Sequence, residues 1–310
     1  MPYSRRYHTT IMWLFRKPPN LSRAQLRLVR AEDLTKISRL FRDGAYRYYG
    51  VSVSELESLL VAGYGAVLSV DEDLLGVVLI HWPAEQTCWL RGLALADGVG
   101  LQAALTLLLP FLHASLAQQH LDTIYYAGDE ASDIWLIPAL LALGYQQATE
   151  VVVYEKRDLH IPDLGHPAVH IRPAQSSDLE AVLHIDRLCF EPQWRKDDLI
   201  LAPAIIQGPL FLIAELEGQA VGYAYATSHF VGRLLHLVRI AVEPGHQGAQ
   251  IGVRLLASVV AYAAGQGATM ITLNTQAYNE HAQRLYRWFG FAPTGERQTV
   301  LAYRLGQPGE

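Results

Sequence analysis

The chain has 310 residues, half of them hydrophobic, and carries 25 Lys and Arg against 30 Asp and Glu, a formal charge of −5 at pH 7. That length favours two domains of ordinary size, and the mild acidic excess argues against a dedicated nucleic-acid binder, which would show a basic face. Two cysteines, Cys88 and Cys189, supply neither a disulfide framework nor a zinc site. No membrane span is expected, because Gln102, Pro110 and His113 interrupt the leucine-rich stretch Leu101–Leu116. The expected address is cytoplasmic.

In chain order, residues 1–25 read as a basic tail with a short apolar knot, Ile11–Phe15, too brief for a secretory segment. Residues 26–156 form the first predicted domain. It opens with a strand at Leu26–Arg30, a helix at Asp33–Phe41 and a second helix from Ser52 or Ser54 through Val61. Strands at Gly65–Val70 and Leu74–His81 flank the acidic turn Asp71-Glu72-Asp73, and a further strand covers Trp89–Leu95. A long apolar helix, Gly100–Gln118, precedes a strand at Thr123–Ala127 and a helix at Ser132–Leu143 closed by Gly144. The last strand of this half is Ala148–Glu155, and the polar, Pro- and Gly-bearing segment 157–167 reads as a linker.

Residues 168–310 repeat the plan. A strand at His170–Arg172 leads to a helix, Asp178–Leu188, opened by the box Ser177-x-x-Glu180. A helix at Lys196–Ile206 stops at Gly208-Pro209, and strands Leu210–Glu215 and Ala220–His229 pair around Glu217-Gly218. The β-branched run Leu235–Val242 feeds, through His246-Gln247-Gly248-Ala249-Gln250, a helix whose apolar residues Ile251, Leu255, Val259 and Tyr262 recur at helical spacing. A strand at Thr269–Thr275, a helix opened by Asn279, and closing strands at Phe291–Gly295 and Gln298–Leu305 follow.

The landmarks of the two halves keep a nearly constant offset: 145 from Asp33 to Asp178, 146 from Gly76 to Gly222, 147 from Leu95 to Val242 and 146 from Gly144 to Gly290. A tandem duplication is the expected origin. The copies diverge after the strand ending at Leu95, where the loop is about three residues shorter than its counterpart. At offset 146, Asn279 corresponds to Asp133 and Tyr286 to Leu140. The first copy is therefore expected to keep the fold and lack the chemistry.

A strand running into a helix through a Gly-bearing loop leaves first-turn N–H groups unpaired, at the positive end of the helix dipole. That end is suited to a phosphate or pyrophosphate. The order V-x-P-x-x-Q-G-x-x-I-G-x-x-L-L, Val242 to Leu256, resembles the acetyl-CoA-binding segment of the GNAT acetyltransferase superfamily. Its loop falls on Gln247-Gly248-Ala249-Gln250-Ile251-Gly252, with Gln250 where the family has its central glycine. Further on, Asn279-x-x-Ala282-x-x-Leu285-Tyr286-x-x-Phe289-Gly290-Phe291 resembles the superfamily's next signature.

The resemblance implies an α/β fold of two tandem GNAT-like domains, each a central mixed, mostly antiparallel sheet flanked by helices. It also implies transfer of an acetyl group from acetyl-CoA, the co-substrate, to the primary amine of a small molecule or peptide by direct attack. No metal, nucleic acid or membrane partner is implied. Ile240, Ala241 and Val242 would lie beside the pantetheine arm, Gln247 to Gly252 would take the pyrophosphate, and Asn279 would contact the cofactor. Tyr286 matches the family's general acid. Some relatives place a glutamate base six residues before the strand-end valine, where this chain has His236; others place it where Asn274 stands. Glu191 is the next candidate for the base, through a water. The alternative is a non-catalytic acyl-CoA-binding or sensing protein.

Overall fold

Arg27 grips Asp33 through two hydrogen bonds of 2.7 and 2.6 Å, and 145 residues later Arg172 grips Asp178 in the same way at 2.7 and 2.8 Å. Each aspartate also accepts a backbone N–H, from Arg30 at 2.9 Å and from Gln175 at 2.7 Å. Each pair thus ties the first strand of its repeat to the start of the following helix. The guanidinium hydrogen bonds hold both carboxyls below the usual carboxylate range. The capping bond that opens the second repeat's first helix is donated by the Gln175 N–H to the Asp178 carboxylate, in place of the expected Ser177–Glu180 box.

The computed structural model describes residues 19–50, 53–81 and 85–306. Its elements in chain order are β1 (Gln25–Leu28), α1 (Leu34–Asp43), β2 (Tyr46–Tyr49), α2 (Val53–Val61), β3 (Gly65–Val70), β4 (Asp73–His81) and β5 (Thr87–Leu95). Then come α3 (Leu101–Gln118), β6 (Thr123–Tyr126), α4 (Glu130–Leu141) and β7 (Gln146–Lys156). The second repeat contributes β8 (His170–Pro173), α5 (Leu179–Cys189), α6 (Asp198–Gln207), β9 (Leu210–Leu216), β10 (Gln219–His229) and β11 (Leu234–Val242). It ends with α7 (Ile251–Gly265), β12 (Met270–Gln276), α8 (Glu280–Trp288) and β13 (Ala292–Arg304). The expected tail 1–25 and the helix start at Ser52 fall largely or wholly outside the described residues.

Among the described residues, one compact unit gathers 19–81, 88–146 and 302–306, and the other gathers 85–87 and 147–301. The first domain was expected to end at 156. The units part instead at Gln146, because β7 pairs antiparallel with β12, from Ile271↔Lys156 to Gln276↔Val151. The two closing strands expected at the C-terminus are one continuous strand, β13.

In the first unit β1, β3, β4 and β5 follow one another as antiparallel neighbours. Strand β2, absent from the sequence expectation, pairs antiparallel with β5 from Tyr46↔Leu95 to Tyr49↔Gly92. Helices α1 and α2 bury Ile37, Leu40, Leu56 and Leu60 against Val67, Val77, Leu79 and Ala94. Helix α3 packs on β3 and β4. With 18 residues and a mean hydropathy of 1.3 it is long and apolar enough to cross a membrane by that measure, contrary to expectation, but Leu105, Leu108, Leu109, Leu112 and Leu116 are buried in the fold.

In the second unit the strand order is β13-β7-β12-β11-β10-β9-β8. Helices α5 and α6 cover one face over Phe211, Ile213, Tyr223 and Tyr225. Helices α7 and α8 cover the other over Leu212, Leu235, Leu237, Ile271 and Leu273. Alternation along each strand divides these two cores, which is why the strand sequences read as continuous apolar runs.

The repeat relation holds at helix ends and needs correction at one helix start. Tyr145 N–H donates to Leu140 C=O as Phe291 N–H donates to Tyr286 C=O, which keeps Leu140 in the place of Tyr286. Helix α4, however, is capped by Asp129, whose carboxylate accepts Ser132 N–H at 2.7 Å, as Asn279 caps α8 by accepting Ala282 N–H at 3.1 Å. Asp129 is therefore the counterpart of Asn279. Asp133 sits a turn inside α4 and accepts the Tyr126 hydroxyl at 2.7 Å.

His113 of α3 is buried, bonded to the Tyr145 hydroxyl at 3.0 Å and stacked on Tyr303. Burial depresses its pKa to about 4. An unfolded histidine accepts a proton below about 6.5, so the unfolded chain binds more protons between these values. This group therefore costs stability as pH falls from 6.5 toward 4 and is neutral in effect above. Chemical-denaturation midpoints should drop over that window in the wild type and less steeply in His113→Gln.

Candidate active site

The parallel ladder between β11 and β12 runs from Leu234↔Met270 to Leu237↔Leu273 and stops. Beyond it β12 continues against β7 and β11 continues against β10, so the two strands separate between their partners. A bulge starts the divergence: Tyr225 faces Arg239 while Ala226 faces Leu237, leaving Val238 as the extra residue. Glu243 N–H donates to Val221 C=O at 2.9 Å. By antiparallel alternation, Ala241 and Arg239 share that orientation toward β10, and the peptide groups of Ile240 and Val242 point the other way, into the gap.

The gap is the floor of a cleft of ≈ 670 Å³ lined by Val238 to Val242, Asn274 to Gln276, the start of α7 and the inner side of α8. Of the residues expected to meet a cofactor, Ile240, Ala241, Val242, Gln247, Gly248, Gln250, Ile251, Gly252, Asn279 and Tyr286 all line it. Ala249 does not; it packs against the apolar core.

At the cleft's other end stands the N-terminus of α7. The helical ladder begins with Arg254 N–H to Gln250 C=O at 3.0 Å, which leaves Ile251, Gly252 and Val253 N–H without an intrahelical acceptor. Gly248 takes φ +82 and Gln250 takes φ +59, so the loop turns through the left-handed region twice. The glutamine keeps the conformation its glycine counterpart would adopt, at a cost of about 1 kcal/mol for a residue with a Cβ. Gln247 Nε2 closes the loop onto Val242 C=O at 3.0 Å.

Tyr286 is 6% exposed, flanked by Tyr154 and Phe291, and no hydrogen bond within the described residues engages its hydroxyl. Burial pushes its pKa above the ordinary tyrosine value, so the group stays protonated as a donor. Its backbone is fixed by the Phe291 N–H and its ring by the aromatic neighbours.

The two base candidates lie elsewhere. His236 sits on β11 before the split, outside the cleft lining, with Nδ1 2.9 Å from Thr272 Oγ1. Burial, with a lesser contribution from His229, depresses its pKa to about 4, which makes it a weak base at neutral pH. Glu191 is exposed and accepts the Tyr278 hydroxyl at 2.8 Å, while Trp194 Nε1 donates to Tyr278 at 2.9 Å. It too is outside the cleft lining.

The sequence reading missed the buried network behind the cleft. Arg239 bonds Asp186 through Nε at 2.8 Å and a terminal nitrogen at 2.9 Å, reaches Trp194 C=O at 2.6 Å, and lies 3.5 Å over the Phe190 ring. Asp186, wholly buried, also accepts Lys196 N–H at 2.9 Å and the Tyr223 hydroxyl. Cys189 Sγ reaches Val242 C=O at 3.2 Å. These bonds hold the α5–α6 connection, with Phe190 in the cleft wall, against β11. The available signal was an arginine inside the apolar run Leu237–Val242.

A match to the acetyltransferase (GNAT) family model covers residues 179–291, which hold the split, the α7 loop and Tyr286. Within this chain the match to that family lies in the second repeat. It is 27% identical over 130 residues to a protein of Bacillus subtilis (strain 168) assigned as a ribosomal protein bS18-alanine N-acetyltransferase, covering 41% of this chain and 83% of that one. It is 28% identical to N-acetylaspartate synthetase of Homo sapiens over 43% of this chain and 41% of the human one. A tandem GNAT protein from the clavulanic acid biosynthesis pathway has the same fold across 92% of this chain and all of its own, with a TM-score of 0.59 and 12% identity.

Two outcomes test the site's physics. Gln250→Gly should relieve the left-handed strain and raise stability by up to about 1 kcal/mol in urea melts, offset in part by the greater freedom of unfolded glycine. Asp186→Asn should cost about 3–5 kcal/mol, because it leaves the Arg239 charge buried and unpaired; a loss under 1 kcal/mol would contradict the buried ion pair.

Proposed function

We propose that the second unit transfers an acetyl group from acetyl-CoA to an amine. The observation that carries this reading is the strand split: one cleft joins the outward peptide groups of Ile240 and Val242, the free N–H groups of α7 and the unengaged Tyr286 hydroxyl. When bound, acetyl-CoA supplies the acyl group as a thioester, activated toward amines. Ile240 and Val242 offer the peptide edge on which an extended amide-bearing arm completes the sheet. Ile251, Gly252 and Val253 offer N–H groups and the helix dipole to a pyrophosphate.

An N–H from the β11 edge, aimed into the cleft, is suited to polarise the acyl carbonyl, an arrangement that contributes about 2.7–4 kcal/mol per donor. Tyr286, kept protonated by burial, donates its proton to the leaving thiolate sulfur. The amine attacks after losing a proton to solvent, with Glu191 as the carboxylate through which it leaves. His236, depressed to about 4 and turned to Thr272, is assigned a structural role. The names of the relatives point to amine acceptors on a protein or a small molecule, and the acceptor of this chain is assigned to that class.

Tyr286→Phe removes one oxygen and no packing surface. Acetyl-CoA binding by calorimetry should change little, and CoA release with a screened amine should fall by about 10²–10⁴. An unchanged rate would remove Tyr286 from the chemistry. His236→Ala should leave the pH–rate profile above pH 6 unaltered. A break near 6.5 that vanishes in this variant would instead restore His236 as the base.

A further inference from the structure

In the first repeat β5 stands in the place of β11, and its outward edge is already covered. Ala96 N–H donates to Leu75 C=O at 2.8 Å, as Glu243 N–H donates to Val221 C=O. By the same alternation, Ala94 and Gly92 face β4, and Leu93 and Leu95 face outward in the places of Ile240 and Val242. In the second unit that edge opens on the cleft. In the first it is paired with β2: Tyr46 is opposite Leu95, Tyr48 is opposite Leu93, and Gly50 N–H donates to Arg91 C=O at 2.8 Å.

The side chains of β2 fill the remaining space. Tyr48, 4% exposed, donates its hydroxyl to Ala127 C=O at 2.9 Å, in the β6–α4 connection, and its ring meets Tyr126 edge-on. Tyr46 packs on Trp135 of α4. These walls, β6 and α4, are the counterparts of β12 and α8 in the second unit's cleft. The loop before α3 has five residues, 96–100, against eight before α7, 243–250.

We infer that β2 is a built-in occupant of the first repeat's acyl-CoA slot, a strand of the chain itself lying where the extended arm of the cofactor would lie. The inference rests on the cofactor reading of the second unit. It assigns one acyl-CoA site to each chain and gives the first repeat a permanent peptide ligand. That ligand satisfies Leu93 and Leu95 and fixes α4 through Tyr46 and Tyr48. Replacing a diffusible ligand by a tethered strand leaves the fold's completeness independent of cofactor concentration.

Hydrogen exchange of the full wild-type chain, with and without saturating acetyl-CoA, tests this directly. Amides of Leu93 and Leu95 should be protected without ligand and unchanged by it, whereas those of Ile240 and Val242 should gain protection only with it. Calorimetry should give one acetyl-CoA per chain. In Tyr46→Ser, which loosens β2 while keeping its backbone, exchange at Leu93 and Leu95 should rise roughly tenfold or more, with the Ile240 and Val242 response retained. Fast exchange at Leu93 and Leu95 that slows on acetyl-CoA addition, or two sites per chain, would overturn the assignment. Absence of ligand protection at Ile240 and Val242, with Leu93 and Leu95 protected throughout, would instead overturn the cofactor reading on which it rests.

Discussion

A buried peptide group must find a hydrogen-bond partner, and the structure of both repeats follows from how that requirement is met along one strand edge. Where β11 leaves β12 after Leu237, two outward peptide units, Ile240 and Val242, remain inside the fold without a strand beside them. Gln247 Nε2 and Cys189 Sγ meet the Val242 carbonyl; for the rest of this edge, water and a ligand of strand-like shape are the available partners. Everything else at the site is placed by this divergence: the bulge at Val238 begins it, α7 starts where β11 ends, and α8 brings Tyr286 to the far wall.

A strand that diverges in mid-sheet needs support from behind, and the Asp186–Arg239 pair provides it. Two charges removed from water are tolerable only with their hydrogen bonds met. Here Tyr223, the Trp194 carbonyl, the Lys196 N–H and the Phe190 ring complete both groups. The network positions the α5–α6 connection with the same side chains that brace β11, so the open edge of β11 and the segment carrying Phe190 and Glu191 share one anchor. Such a network is intolerant of partial loss, which suits a site that must hold its donors in fixed directions.

The two repeats show two solutions to one constraint. In the first, the connection after α1 turns back as β2 and supplies the missing strand. In the second, the equivalent connection bends away through Pro192–Trp194, held to β11 by the Arg239 side chain at Phe190 and the Trp194 carbonyl. The difference between a filled slot and an open cleft lies in a few residues of loop path, on an otherwise shared frame marked by the Arg27–Asp33 and Arg172–Asp178 pairs.

The sequence by itself determined the features that are local or periodic. The duplication, most element positions, the α7 loop and the alignment of Asn279 and Tyr286 on one helix could be read from spacing, because helix and strand periods and loop signatures are properties of short windows. The left-handed turn at Gln250 overrode its side chain, since the loop's closure fixes φ whichever residue stands there. What only the tertiary structure decided was pairing. That β7 joins β12, that β2 joins β5, that Ala249 faces the core while its neighbours face the cleft, and that His236 turns to Thr272 outside the cleft lining all depend on partners far away in sequence. Strand pairing and desolvation are set by the complete fold, and a single strand's residues do not say who will lie beside them.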